Sequence, residues 1–491
     1  MNGPAYAIDG NAATREAFYA AACDPARSVI VEACAGAGKT WMLVSRILRA
    51  LLDGTEPQEV LAITFTKKAA GEMRARLDEW LGEFAACDDA GRLRELQARG
   101  LTPAQARQLA PSLAALQERL LRGGRMVEVR TFHAWFWQML RVAPLELLSE
   151  LGLQPAMELV EDPTEHQADV YRRFHAAVAA DAVLHEDFDV LVRERGRAQV
   201  RRWLDTAWAR RVDIELADAA GTLDDSVPAP DGGEHPARCL RSAAWRRQLG
   251  ELATQLARGG VKAQEAAQRL VLALEAADPA VAFESAWLAL FTADKGTPRL
   301  QLGKASGLAE AQAAVAALCA QVRQHDAHVE HLRMVRLSRV LLSEYAAFKR
   351  GRGLADMSDL ERGALALLRD STQAGWVQER LDARVRHLLI DEFQDTSPLQ
   401  WHALHAWLAG YAGAGGGASG QRPPGVFIVG DPKQSIYRFR GAEPRVFDAA
   451  RRFVVDAFGG SVLACDHTRR NAPEVLAALN GVFDAAERAG E

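Results

Sequence analysis

Short apolar runs recur along the chain, and each leads into a polar turn and then a helical pattern. They cover residues 28–32, 60–64, 126–130, 385–391 and 425–430. Runs that are apolar throughout belong to strands covered on both faces, and strands that alternate with helices form parallel sheets. The expected fold class is therefore α/β, with a parallel sheet whose ligands bind beyond the carboxyl ends of its strands. Between the third and fourth runs, roughly 200 residues rich in Ala, Leu, Arg and Glu read as helical. This pattern predicts a helical domain, residues 151–350, inserted into a sheet domain built from 1–150 and 351–465. Residues 212–237, with Gly, Pro and several Asp, read as a loop inside the insert, and 411–424 as a flexible surface loop. No internal repeat is visible.

The length of 491 residues exceeds one ordinary core and fits some two to four domains. A net charge of −5 means that contact with nucleic acid must rest on local basic surface and not on a global field. The six cysteines are scattered without a Cys-x-x-Cys pair, which argues against a zinc ribbon or a disulfide framework. No apolar run is long enough for a membrane span and the N-terminus lacks a signal-peptide pattern. The expectation is a cytoplasmic protein with no membrane association.

The strongest chemical signal follows the first run. Ala33-Cys34-Ala35-Gly36-Ala37-Gly38-Lys39-Thr40 is a Gly-rich loop between a strand and a helix. Gly36 and Gly38 would let backbone N–H groups turn toward phosphates. Lys39 would reach the β- and γ-phosphates, and the Thr40 hydroxyl would hold Mg²⁺. The helix that follows would aim its positive end at the anion. Ala33 stands where the full pattern starts with Gly. A second signal is the apolar run ending in Asp391-Glu392. Asp391 would hold the Mg²⁺ and Glu392 would orient and deprotonate the attacking water. Alone, this pair reads equally well as a solvated acidic turn; beside the loop at 33–40 it reads as an ATP·Mg²⁺ site. In residues 429–442, Tyr437 and Phe439 could stack on bases while Arg438 and Arg440 meet phosphates. From pattern alone, an amphipathic helix with core aromatics is the plainer reading of that stretch.

Taken together, these motifs resemble the superfamily 1 DNA helicases of the UvrD/Rep type, and most of all their AddA/RecB branch of helicase-nuclease subunits. The resemblance rests on residues 33–40, 63–73, 129–134, 391–396 and 429–442, in the family's order, and on 353–360. It implies a RecA-like P-loop lobe with an inserted helical subdomain. It also implies an ATP-dependent 3′–5′ helicase or translocase of double-strand-break repair and recombination, using ATP and Mg²⁺. Thr64, Phe65 and Thr66 would follow the DNA backbone and a base, and Thr131 and His133 would contact the single strand. Gln394 and Gln434 would sense the γ-phosphate. Tyr437 and Phe439 would stack on bases, and Arg440 would report nucleotide state. Arg470, or alternatively Arg469, would meet the γ-phosphate. Arg15 would flank the base, where the family usually has a glutamine nearby and this chain has none. The implied partners are single-stranded DNA, duplex/single-strand junctions, and a nuclease or helicase subunit of the AddB or RecC/RecD kind. Residues 466–491 would begin a second lobe, so the resemblance covers an N-terminal portion of such an enzyme. Residues 193–211 and 238–247 interleave Arg with Trp, which suits either duplex contact or a solvated helical face with core Trp. Two rival readings are an ATP- and DNA-binding fragment without motor activity, and a P-loop kinase of a small molecule.

Overall fold

The computed structural model describes residues 4–230, 233–294, 296–369, 385–411, 423–437, 441–468, 470, 472, 474–479 and 481–482. The chain divides into two compact units, Met1–Glu161 with Gly353–Glu491, and Asp162–Arg352.

The described strands are β1 Tyr6–Ile8, β2 Asn11–Ala12, β3 Val29–Ala33, β4 Val60–Thr64, β5 Glu128–Thr131, β6 Glu158–Val160, β7 Leu354–Asp356, β8 His387–Ile390, β9 Gly425–Gly430 and β10 Ser461–Cys465. Eight of them form one sheet in the order β2-β1-β10-β3-β9-β8-β4-β5. From β10 to β5 every pairing is parallel. The edge departs from the all-parallel expectation, because β1 pairs antiparallel with both β10 and β2. The reason is local. Asp9 and Gly10 both have positive φ, 50° and 79°, as a tight two-residue hairpin turn of the Asp-Gly type requires.

Alternation along the strands feeds two cores on opposite faces. Val29, Val31, Val60, Ala62, Phe427 and Val429 join one cluster, with the helices Lys39–Leu52, Lys67–Ala86 and Pro103–Gly123. Ile30, Leu61, Ile63, Leu388, Ile390, Val426 and Ile428 join the other, with the helices Phe132–Leu140, Met357–Arg369 and Pro398–Ala409. Both faces being covered explains why these strands read as continuous apolar runs. Arg46 is buried on the helix that follows the Gly-rich loop. It donates to the carbonyls of Ala22 and Arg27, which bracket the connection between the helix Arg15–Ala22 and β3.

The pair β6–β7 is a short parallel ladder where the chain leaves and re-enters the first unit. The second unit is helical and ends in the 45-residue helix Leu308–Arg352. One core within it joins Leu249, Leu252, Leu270, Leu290 and Leu318. The loop expected at 212–237 is corrected in part. Arg211–Ala219 is a helix, in which Val212 with Leu216 and Ile214 with Ala217 keep helical spacing, and Gly221 with positive φ follows its end. Among the described residues, 3₁₀ turns follow at Asp224–Ser226 and Pro236–Arg241. Residues 412–422 of the second expected loop lie outside the described residues. Among the described residues, no helix is long and apolar enough to cross a membrane.

Candidate nucleotide-binding site

The Gly-rich loop joins β3 to the helix Lys39–Leu52. Gly36 and Gly38 have φ of 78° and 89°, in the left-handed region that glycine adopts without strain, and Gly38 is the helix N-cap. No side chain caps this helix start. Its first N–H groups therefore remain for an anion. Thr40 is exposed on the first turn, and Ala33 and Ala37 are buried beneath the loop. A Cβ at Gly36 would come within 2.5 Å of Thr468 Oγ1 and 2.7 Å of Arg470 Cβ. The segment after β10 thus lies directly on the loop, with Arg470 exposed beside it. Arg469, the alternative, lies outside the described residues.

Between β3 and β8 in the sheet lies β9, so the acidic turn faces the loop across the end of one strand. Lys39 Nζ sits 3.3 Å from Glu392 Oε2. Glu392 has φ 50° and ψ 43°, a left-handed conformation unusual for glutamate. Asp391 is buried; its pKa is pushed up to about 7 by burial first and by the negative charge of Glu392 second. Asp395, also buried, is pushed up to about 6 by the same two causes. Asp395 Oδ1 is a buried oxygen with no hydrogen-bond partner among the described residues. A cluster of crowded carboxylates with one lysine is the donor set that a divalent cation and a polyphosphate fit.

A relay of contacts leads away from this cluster. Gln394 Nε2 donates to Glu392 Oε2 at 2.7 Å, and the Asp431 N–H at the end of β9 donates to Gln394 Oε1 at 2.9 Å. Gly430 permits this approach, since a Cβ there would lie 2.6 Å from that same oxygen. The Asp431 carboxylate accepts from the Lys433 N–H and from Gln434 Nε2. Three residues on, Tyr437 packs against Phe65 with ring centroids 4.8 Å apart. The structure thus brings together residues that sequence reasoning placed in separate motifs. Arg438, Phe439 and Arg440 lie outside the described residues.

Thr64 is fully buried at the end of β4, while Phe65 and Thr66, which follow the strand, are half-buried. Thr66 and Thr131 cap the helices that follow them, accepting from the Ala69 and Ala134 N–H groups. His133 Nε2 lies 3.1 Å from Glu361, which Gln400 Nε2 also holds at 2.7 Å. Asp356 and Asp359 cap each other's backbone N–H, a structural reason for the spacing at 353–360. Arg15 is exposed, 5.9 Å from the ring of Tyr19.

Sequence reasoning missed Trp41, which follows Thr40 and meets Tyr19 edge-on at 5.1 Å. The signal was a tryptophan directly after Lys-Thr. In the second unit the arginines read as candidate phosphate contacts are largely engaged. Arg193 pairs with Asp189, Arg195 with Glu330, Arg201 with Asp205, Arg210 with Asp213 and Arg238 with Glu234. Trp208 is buried between Tyr171 and Tyr345. These contacts support the plainer of the two readings, a solvated face over core aromatics.

Comparison with known proteins adds an independent observation. Residues 13–454 match the family described as the UvrD/REP helicase N-terminal domain. The chain is 29% identical over 517 residues to an ATP-dependent helicase/nuclease subunit of Geobacillus thermodenitrificans, covering 93% of this chain and 38% of that protein. It is 26% identical over 501 residues to the protein of the same name from Exiguobacterium sibiricum, with the same two coverages. The corresponding Streptococcus sanguinis protein is 24% identical over 507 residues, covering 95% of this chain and 38% of that one. The chain spans about 38% of the length of the curated relatives it matches.

Proposed function

The chain belongs to the UvrD/REP helicase family, and from that premise we propose that it is the ATP-hydrolysing lobe of a 3′–5′ DNA helicase or translocase serving DNA repair and recombination. The observation that carries this reading is the relay from Lys39 through Glu392, Gln394, Asp431 and Gln434 toward Tyr437 and Phe65. It links a phosphate cradle to stacking aromatics through hydrogen bonds that depend on one another.

In this reading Lys39 and the N–H groups of residues 36–40 hold the β- and γ-phosphates, Thr40 and Asp391 hold Mg²⁺, and Arg470 meets the γ-phosphate. Arg15 flanks the base. Bound Mg²⁺ would neutralise charge on the phosphate oxygens. Lys39 turns from Glu392 toward phosphate, which leaves the Glu392 carboxylate available to take a proton from water. Gln394 follows Glu392 and shifts the Asp431 turn, so Gln434 and Tyr437 change position with nucleotide state. Phe65, Thr66, His133 and Tyr437 form the described part of the strand-contacting surface. Phe439 and Arg440 join it by family resemblance alone. Residues 162–352 serve as an inserted subdomain, and the native assembly includes a partner subunit of the AddB or RecC/RecD kind in the cytoplasm.

The test is ATP hydrolysis by the 491-residue chain with and without single-stranded DNA, beside Lys39→Ala. DNA-stimulated turnover that vanishes in the variant is expected. No turnover, with ATP and DNA binding intact, would replace the motor by an ATP- and DNA-binding module. A second expectation concerns the aromatics. Phe65→Ala and Tyr437→Ala should each weaken binding of a labelled oligothymidylate by about 5- to 150-fold, the cost of one lost base stack. ATP hydrolysis without DNA should be unchanged. Equal anisotropy titrations for variants and parent would remove these rings from the DNA surface.

A further inference from the structure

We propose that His235, His325 and Asp326 form a binding site for a first-row divalent transition metal of the zinc class, within the unit Asp162–Arg352. His235 starts the 3₁₀ turn Pro236–Arg241, and the other two lie midway along the helix Leu308–Arg352. One donor atom from each of the three lies within 4.8 Å of the others. The two imidazole rings are 4.8 Å apart between centroids and inclined at 65°, so they meet edge to face and do not stack.

Unanswered nitrogens distinguish this cluster from an ordinary histidine pair. His235 Nε2 and His325 Nδ1 are both buried and have no hydrogen-bond partner among the described residues. Buried polar atoms are nearly always satisfied, and a pair of orphans at one place is what an ion would resolve. Two neighbouring histidines of the same helix behave differently. His328 Nδ1 is engaged by the Val227 carbonyl at 2.6 Å, and His331 Nε2 by the Leu223 carbonyl at 2.8 Å. Of these four described histidines, the two with buried nitrogens lacking a hydrogen-bond partner are the two that sit with a carboxylate.

The donor set selects the class of ion. Two imidazoles and one carboxylate suit zinc, copper, nickel or cobalt, whereas magnesium and calcium favour oxygen alone. Three protein donors leave a fourth position, and Asp326 is exposed, so that position faces water. Metal–ligand bonds of about 2.0–2.2 Å would draw the donors slightly closer, within reach of side-chain rotation. Loading has one structural consequence. The Ala237 N–H donates to His235 Nδ1 at 3.2 Å, so the neutral ring carries its proton on Nε2. A cation on Nε2 requires that proton on Nδ1, and the Ala237 amide must then leave. The turn at Pro236 therefore shifts when the ion binds.

The experiment is calorimetric titration of zinc chloride into the metal-stripped 491-residue chain, in excess Mg²⁺ so that oxygen-donor sites are filled. One equivalent of zinc per chain is expected. His235→Gln and His325→Gln should each weaken it by at least about tenfold, while His328→Gln and His331→Gln leave it unchanged. Circular dichroism checks that each variant is folded. Asp326→Asn, an exposed change that spares the core, should alter the visible absorption of the cobalt-loaded chain. No stoichiometric zinc in the parent, equal affinity in His235→Gln and His325→Gln, or an unchanged cobalt spectrum in Asp326→Asn would each overturn the site.

Discussion

Glu392→Gln is expected to lower DNA-stimulated ATP hydrolysis by about 10²- to 10⁴-fold, the range for loss of a positioned general base. The amide keeps the size of the side chain and can still accept from Gln394. It has no charge and takes no proton from water. Binding should survive. Asp391 would lose the negative neighbour that raises its pKa, so it would ionise more readily as a magnesium ligand. A fluorescent ATP analogue should therefore bind Glu392→Gln at least as tightly as the parent. Turnover within about fivefold of the parent would sink the general-base assignment.

Asp391→Asn should separate stability from activity. The unliganded fold holds Asp391 at about pKa 7, above the ordinary 3.8. A carboxyl whose folded pKa is raised keeps its proton longer when folded than when unfolded. Its stabilising contribution is complete below about pH 4 and is lost as pH rises through about 7. Asparagine has no such charge to bury. Above pH 7 the unliganded variant should be more stable than the parent, by on the order of 4 kcal/mol. The difference should shrink steadily toward pH 4. Asp395, pushed up to about 6, remains in both proteins and contributes the same sign to each. The same substitution removes a magnesium-binding oxygen, so ATP hydrolysis should fall even as the fold gains. Urea melts at pH 5 and pH 8 give the check. An unchanged gap between variant and parent across that range would mean that Asp391 titrates normally.

The sheet domain was largely legible because its strands are covered on both faces and advertise themselves as apolar runs. Val60–Thr64 and Gly425–Gly430 fall where the pattern put them. The edge was not legible. Tyr6–Ile8 and Asn11–Ala12 are too short to show a period, and the pairing of Tyr6–Ile8 with β10 depends on residues more than four hundred positions away, as the 453 separating Val462 from Asp9 illustrates. The nucleotide motifs could be read one by one. What links them could not, because Gln394 joins Glu392 to Asp431 through a side chain reaching between strand ends. The charged helices left two readings open for a similar reason. Arg195 looks like a phosphate contact until Glu330, 135 positions later, is found beside it.

The position of β3 also bears on how the chain is made. Its neighbours in the sheet are β9 and β10, and the Val426 N–H bonds Ser28 Oγ across 398 positions. At about 5–20 residues per second, a ribosome would present β3 and its loop on the order of half a minute before either neighbour emerges. During that interval an apolar strand destined for the centre of the sheet has both edges open. The helices Lys39–Leu52 and Lys67–Ala86 can cover one face early, but the edges must wait. Nascent chains halted before β9 should therefore recruit holding chaperones, and the cradle for phosphate should become competent only after β9 and β10 have both emerged.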